Sequence, residues 1–108
     1  MARRAAGTLT IAQIKEEVGV QEVLLELGGS IPYTGAWGEW VPVRCYAHRD
    51  DNPSGSMNRG AGMYICHQCG APGRENGKAG DIVDMAKDHL QSDSITEAIS
   101  WIRQTFLT

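Results

Sequence analysis

Cys45-Tyr-Ala-His48 and Cys66-His-Gln-Cys69 stand seventeen residues apart, and together they hold every cysteine of the 108-residue chain. Each is a short knuckle, two potential metal ligands with two residues between them. Zinc favours thiolate and imidazole ligands in a tetrahedron, and two knuckles supply the four it needs. The separation lies in the range of a zinc ribbon, where the knuckles face each other across a hairpin. Gly70, directly after Cys69, is a usual feature of a metal knuckle. The expected cofactor is therefore one structural Zn2+ on Cys45, His48, Cys66 and Cys69. Three buried free cysteines are the plainer alternative, and it gives no reason for the spacing or for Gly70.

The length fits one domain with a modest core, which a metal staple would support. An odd cysteine count would strand one thiol in any disulfide framework. Arg3-Arg4 leads into Ala5-Ala6-Gly7-Thr8 rather than a long apolar stretch, so no secretory signal is expected. No run approaches the ~20 apolar residues of a membrane span. These features point to a reducing, cytoplasmic setting without a membrane partner.

The net charge of −3 carries no simple nucleic-acid signature. Its distribution is more informative. Residues 1–40 are acidic through Glu16, Glu17, Glu22, Glu26 and Glu39, and residues 81–108 through Asp81, Asp84, Asp88, Asp93 and Glu97. Residues 41–80 alone carry a basic excess, from Arg44, Arg49, Arg59, Arg74 and Lys78. Zinc with three thiolates contributes −1, so electrostatics alone would support only weak binding to phosphates.

Periodicity predicts an α+β fold, a small antiparallel ribbon between N-terminal and C-terminal helices. Residues 1–7 read as a flexible basic tail, and residues 8–108 as one zinc-binding domain. Thr10-Ile-Ala-Gln13 has capping-box spacing. Ile11, Ile14 and Val18, then Val20, Val23, Leu24 and Leu27, recur at helical intervals over about 10–28, interrupted at Gly19 and stopped by Gly28-Gly29. The ribbon spans about 38–80. Its first strand holds Val41 and Val43, and Pro42 places that strand at a sheet edge. Ser56-Met-Asn-Arg59 and Met63-Tyr-Ile65 form a hairpin about Gly60-Ala-Gly62. Residues 70–80 read as a flexible loop. Two helices fill about 81–108, with Asp81 at the start of one and a capping box at Ser94-Ile-Thr-Glu97 opening the other. Ile95, Ala98, Ile99, Ile102 and Phe106 share one side of the last helix.

As a string, residues 40–69 resemble the zinc-binding domain of bacterial and phage DnaG-type DNA primases. The resemblance rests on Cys45-Tyr-Ala-His48, four residues, Pro53-Ser54, a hairpin, Met63-Tyr-Ile65, and Cys66-His-Gln-Cys69-Gly70. Outside that core, Gly80-Asp81-Ile-Val, Thr96-Glu97-Ala98, Ile14-Lys-Glu-Glu-Val18 and Val23-Leu-Leu look like the family's helices, less specifically. The chain departs from the pattern at Tyr46-Ala47, where Pro-Phe is usual, at Gly55, where an aromatic is usual, and at the loop over residues 74–80, which is a few residues longer than usual. The resemblance implies a non-catalytic module. It would contact single-stranded template DNA and support RNA primer synthesis by a separate catalytic domain or subunit, with a replicative helicase as a further partner. It also implies host cytoplasm as the location if a phage encodes the chain.

Arg44, Arg49 and Arg59 are the candidate phosphate or base contacts. Tyr64 alternates with Met63 and Ile65, so it is expected to point off their face and to stack on a base. Trp37 and Trp40 are either further stacking residues or core. His67 is a conceivable fifth metal donor, although its neighbours already complete a tetrahedron. Asp81, Asp84 and Asp88 form an acidic row that reads as a solvated helix face rather than a polymerase metal centre. Two other functions stay open. One is a zinc-stabilised protein-interaction module of a replication or transcription complex. The other is a zinc enzyme, which ranks lower because four protein ligands leave no open position for water.

Overall fold

The computed structural model describes residues 9–49, 51–73 and 77–107. Among them, seven elements follow in order: α1 (Ile11–Glu17), α2 (Val20–Glu26), β1 (Val41–Val43), β2 (Gly55–Asn58), β3 (Met63–Cys66), α3 (Ile82–Leu90) and α4 (Ile95–Phe106). The three strands make one antiparallel sheet in the order β1-β2-β3. This is the expected α+β architecture. The expected tail at 1–7 lies outside the described residues.

Local chemistry explains the helix boundaries. Thr10 Oγ1 accepts from the Gln13 amide at 3.2 Å, and Gln13 Oε1 accepts from the Thr10 amide at 2.9 Å. Two orphan donors are thereby satisfied. Gly19 then starts a second helix, its amide donating to Glu22 Oε1 at 3.2 Å. After α2, the Gly28 and Gly29 amides close on the Leu25 and Leu24 carbonyls. The chain next pairs Ser30 with Arg44 through two backbone hydrogen bonds of 3.3 and 2.8 Å. That bridge anchors the exit of α2 beside Cys45.

β1 is an edge strand, as Pro42 requires, with Pro42 opposite Ser56. Val41 faces Met57 and Val43 faces Gly55; Gly55 in turn faces Cys66, and Met57 faces Tyr64. Val41, Val43, Met57, Tyr64 and Cys66 are buried, and they join one core with Ile14, Val18, Val23 and Leu24 from the N-terminal segment. Ile82, Met85, Ala86, Ala98, Ile99 and Ile102 complete it from α3 and α4. Each large side chain here contributes about 1.5–3 kcal/mol by burial. α2 packs on β2 and α3, and α3 packs on α4. Arg103 Nη2 donates to the Leu9 carbonyl at 3.2 Å, joining the last helix to the first.

The segment after the second knuckle is more ordered than a flexible loop in its described part. Gly80 exchanges two backbone hydrogen bonds with Tyr64, of 2.8 and 2.9 Å, and so covers the free edge of β3. Gly73 pairs with Lys78. Residues 74–76 lie outside the described set.

The acidic row is not merely a solvated face. Asp81 Oδ1 accepts from the amides of Val83 and Asp84, and Asp84 Oδ2 accepts from the Asp81 amide. Lys15 Nζ sits 2.7 Å from Asp81 Oδ2, linking α1 to α3. Asp88 Oδ2 accepts from the Tyr46 hydroxyl at 2.8 Å, linking α3 to the first knuckle. At α4, Ser94 Oγ caps the Glu97 amide, but the reciprocal bond is relayed. The Ser94 amide donates to Ser92 Oγ, and that hydroxyl donates to the Glu97 carboxylate. Ile95, at the first position of α4, is 53 % exposed and leaves the apolar side to its neighbours. Among the described residues, no helix is long and apolar enough to cross a membrane.

Burial pushes the Asp81 carboxyl upward, but Lys15 and the α3 amides outweigh it and hold it below the ordinary 3.8. A depressed carboxylate stabilises the fold above its ordinary pKa, and the contribution is lost as pH falls through the folded value. Asp81→Ala should cost on the order of 1 kcal/mol in urea denaturation at neutral pH. The difference between the two chains should shrink below about pH 3.8.

Candidate metal centre

The register of the sheet builds this site. Val43, Gly55 and Cys66 lie side by side at one end of the ribbon. Cys45 leaves β1 there and Cys66 ends β3 there, so the knuckles meet. The Gly70 amide closes the second knuckle on the Cys66 carbonyl at 2.9 Å, and Gly70 takes the positive φ of +80° that glycine adopts without strain.

The ligand atoms of Cys45, His48, Cys66 and Cys69 all lie within 4.8 Å of one another. Cys45 Sγ and Cys69 Sγ are 3.8 Å apart, and His48 Nε2 is 3.4 Å from Cys66 Sγ. A tetrahedron with Zn–S near 2.3 Å and Zn–N near 2.0 Å has edges of about 3.8 and 3.5 Å. A disulfide needs about 2.05 Å, and all three cysteines are free thiols. The donor set fits one metal ion, with three sulfurs and one nitrogen suited to zinc.

The imidazole is already in the tautomer a metal requires. His48 Nδ1 lies 2.7 Å from the Arg49 carbonyl oxygen. A carbonyl only accepts, so Nδ1 carries the proton and Nε2 presents its lone pair to the sulfurs. The sulfurs have donors of their own. Ser54 Oγ lies 3.4 Å from Cys66 Sγ, the Cys69 amide 3.5 Å from the same sulfur, and the Ala47 amide 3.3 Å from Cys45 Sγ. Burial raises the Cys66 thiol, but the hydrogen bonds from Ser54 and the Cys69 amide oppose it, and the thiol is brought down to about 6. At Cys45 burial wins, and the thiol is pushed up to about 12. Holding a metal ion at neutral pH would require Cys45 to give up its proton, as zinc ligation by thiols does generally.

Tyr64 corrects an expectation. Its alternation with Met63 and Ile65 holds, but the face it takes is the inner one. The helices pack on that face, and Tyr64 is 0 % exposed, out of reach of a base. A Cβ at Gly55 would lie 3.0 Å from Tyr64 Cε2 and 3.1 Å from its hydroxyl, so the missing side chain makes room for the ring. The Tyr46 ring packs on it at 5.5 Å. These contacts show how Tyr46 and Gly55 fit around the buried ring.

The candidate arginines do not form one cluster. Arg44 is exposed at the metal end of the ribbon. Arg49 pairs with Asp51 at 3.2 Å with its side chain 90 % exposed, a geometry that stabilises little. Arg59 lies in the hairpin turn, directly after the end of β2 and away from the metal end. There its guanidinium sits 4.2 Å over the Trp37 ring and walls a cleft of about 260 Å³ with Gly19, Val20, Glu22 and Leu25. The outer sheet face instead gathers Pro42, Ser56 and Ile65 in one row across the strands, flanked by Arg44. His67 joins this face, its Nε2 3.0 Å from Ser56 Oγ, and so turns away from the four donors. Trp40, just before β1, is 44 % exposed. His89 packs on Trp101 at 5.2 Å. Residue-by-residue reading missed Ser54, whose hydroxyl lies beside Cys66 Sγ, and Tyr46, which ties the first knuckle to Asp88. Pro53-Ser54 within the motif was the one available signal.

No family model, no curated protein and no solved structure matches this chain.

Native metal analysis should give one Zn2+ per chain, and Cys69→Ser should abolish tight binding. Structural zinc contributes roughly 10–16 kcal/mol in finger peptides. Chelation should therefore melt the ribbon, read as a collapsed near-UV spectrum, while far-UV helical signal from α3 and α4 partly persists. Ser54→Ala should weaken zinc affinity about 10-fold, measured by competition with a chromophoric chelator.

Proposed function

We propose that the chain is the zinc-binding module of a DNA primase, contacting single-stranded template and supporting primer synthesis by a separate catalytic domain or subunit. The observation that carries this reading is the four-ligand cluster at the end of a three-stranded ribbon. It agrees with the primase-like motif from Cys45 to Gly70, including Pro53-Ser54, whose serine supports Cys66. The proposed contact surface is the outer sheet face, where Arg44, Ser56, Ile65 and His67 lie on the side away from the helices. Trp40 at its margin has the exposure that stacking needs. Arg49 extends the surface at the metal end, and Arg59 belongs to a separate region.

In this role the metal is structural. It holds the knuckles so that the ribbon presents a fixed face, and the catalytic chemistry belongs to the partner. A protein-only interaction module is the second reading. Exposed Ile11, Leu25 and Ile95 favour it, because they offer apolar area to a docking subunit.

Single-strand binding should be weak and salt-sensitive. Arg44→Ala should lower the salt-dependence slope by about 0.7 if that residue holds a phosphate. Trp40→Ala should cost on the order of 1–3 kcal/mol. Binding unchanged in both variants at full zinc content would remove the nucleic-acid reading. Alone, the chain should make no primer. With the cognate catalytic subunit it should stimulate template-directed synthesis, and Cys69→Ser should abolish that stimulation. Primer synthesis by the isolated chain would overturn the non-catalytic assignment, and intact docking without DNA contact would select the protein-only module.

A further inference from the structure

We infer that Tyr64 is a positioning residue of the metal centre, its hydroxyl donating a hydrogen bond to the Cys45 thiolate when the metal is bound. The argument begins with burial. Tyr64 is fully enclosed, yet its hydroxyl has no partner at ordinary hydrogen-bond geometry. Buried O–H groups left without an acceptor are rare because water cannot satisfy them. The ring carries this hydroxyl over Gly55 to the metal end of the ribbon, where the Cys45 sulfur is the acceptor we assign to it. Its position is built in. Tyr64 sits across from Met57, and its ring reaches over Gly55 toward Val43, two residues before Cys45. A Cβ at Gly55 would press on the ring edge at 3.0 Å and on the hydroxyl at 3.1 Å. Tyr46 closes the ring from the knuckle side and is itself fixed by its bond to Asp88.

The sulfurs then have matched supports. Ser54 has an O–H beside Cys66, and Tyr64 would supply one to Cys45 in the loaded state. Three thiolates on one divalent ion leave an excess negative charge in a buried place, and donors to sulfur disperse it. A thiol has little need of such a donor; a metal-bound thiolate accepts it strongly, because bonds to charged acceptors are the stronger ones. The pairing therefore favours the loaded state over the empty one. It holds whether the outer face meets nucleic acid or protein.

The test is Tyr64→Phe in the full chain, which keeps the ring and removes one oxygen. Zn2+ affinity should fall about 10- to 100-fold, the usual effect of removing a group that supports a ligand. In the Co2+-loaded chain the thiolate-to-cobalt charge-transfer band should move to lower energy, because Cys45 sulfur becomes more electron-rich. Tyr46→Phe, which keeps the ring on Tyr64 and removes the hydroxyl that donates to Asp88, should leave that band in place. A band that does not move in Tyr64→Phe overturns the inference, whatever happens to affinity, since packing alone does not alter the sulfur's charge. Should Tyr64→Phe fail to fold, the unsubstituted chain loaded with 113Cd decides. Scalar coupling between the Tyr64 hydroxyl proton and the metal through Cys45 sulfur is expected, and its absence overturns the inference.

Discussion

Three sulfurs and an imidazole nitrogen gathered within 4.8 Å of one another are the donor set a single cation would hold together. That requirement organises the rest of the molecule. The strands are three or four residues long, and hairpins of that size are marginal in water without something to pack on or to clamp them. A metal ion on the four donors would clamp the end where Val43, Gly55 and Cys66 lie abreast. The helical core backs the inner face, and the Ser30–Arg44 bridge ties the two systems together. Neither half is independent. The core reaches the site through Tyr64 and Cys66, and the site reaches α3 through Tyr46 and Asp88.

How much of this was legible follows from where the information resides. The four donors were legible because metal ligation demands particular residue types at short, fixed spacings. The N-terminal helix pair was legible because Thr10, Gly19 and Gly28 act on adjacent backbone groups. Pro42 marked an edge strand because it lacks a donor. Tyr64 was misjudged for a physical reason. Strand alternation says which residues share a face, but Met63, Tyr64 and Ile65 are all apolar enough for either face. Only the placement of the helices decides between them. The aspartate row failed likewise, since Lys15 and Tyr46 reach it from distant segments. Ser54 was visible as part of a motif, with its action on Cys66 hidden until the hairpin closed.

One consequence of the layout bears on any ligand. A chain this short covers one face of its sheet and leaves the other open. Here all four helices supply the core on the inner side, where Val41, Val43, Met57, Tyr64 and Cys66 point. The outer face keeps Arg44, Ser56, Ile65 and His67, a mixed polar surface with a histidine already aligned by a serine hydroxyl. The helical body around it is acidic on both sides of the ribbon in sequence. A polyanion approaching the proposed module would be repelled by that body and tolerated mainly along the ribbon. Weak affinity and a defined orientation then have one origin. The acidic helices limit binding strength, and the same helices restrict where a phosphate backbone can lie. On this argument the modest charge of the ribbon is compatible with template contact, because a second subunit holding the strand would supply the affinity that this surface lacks.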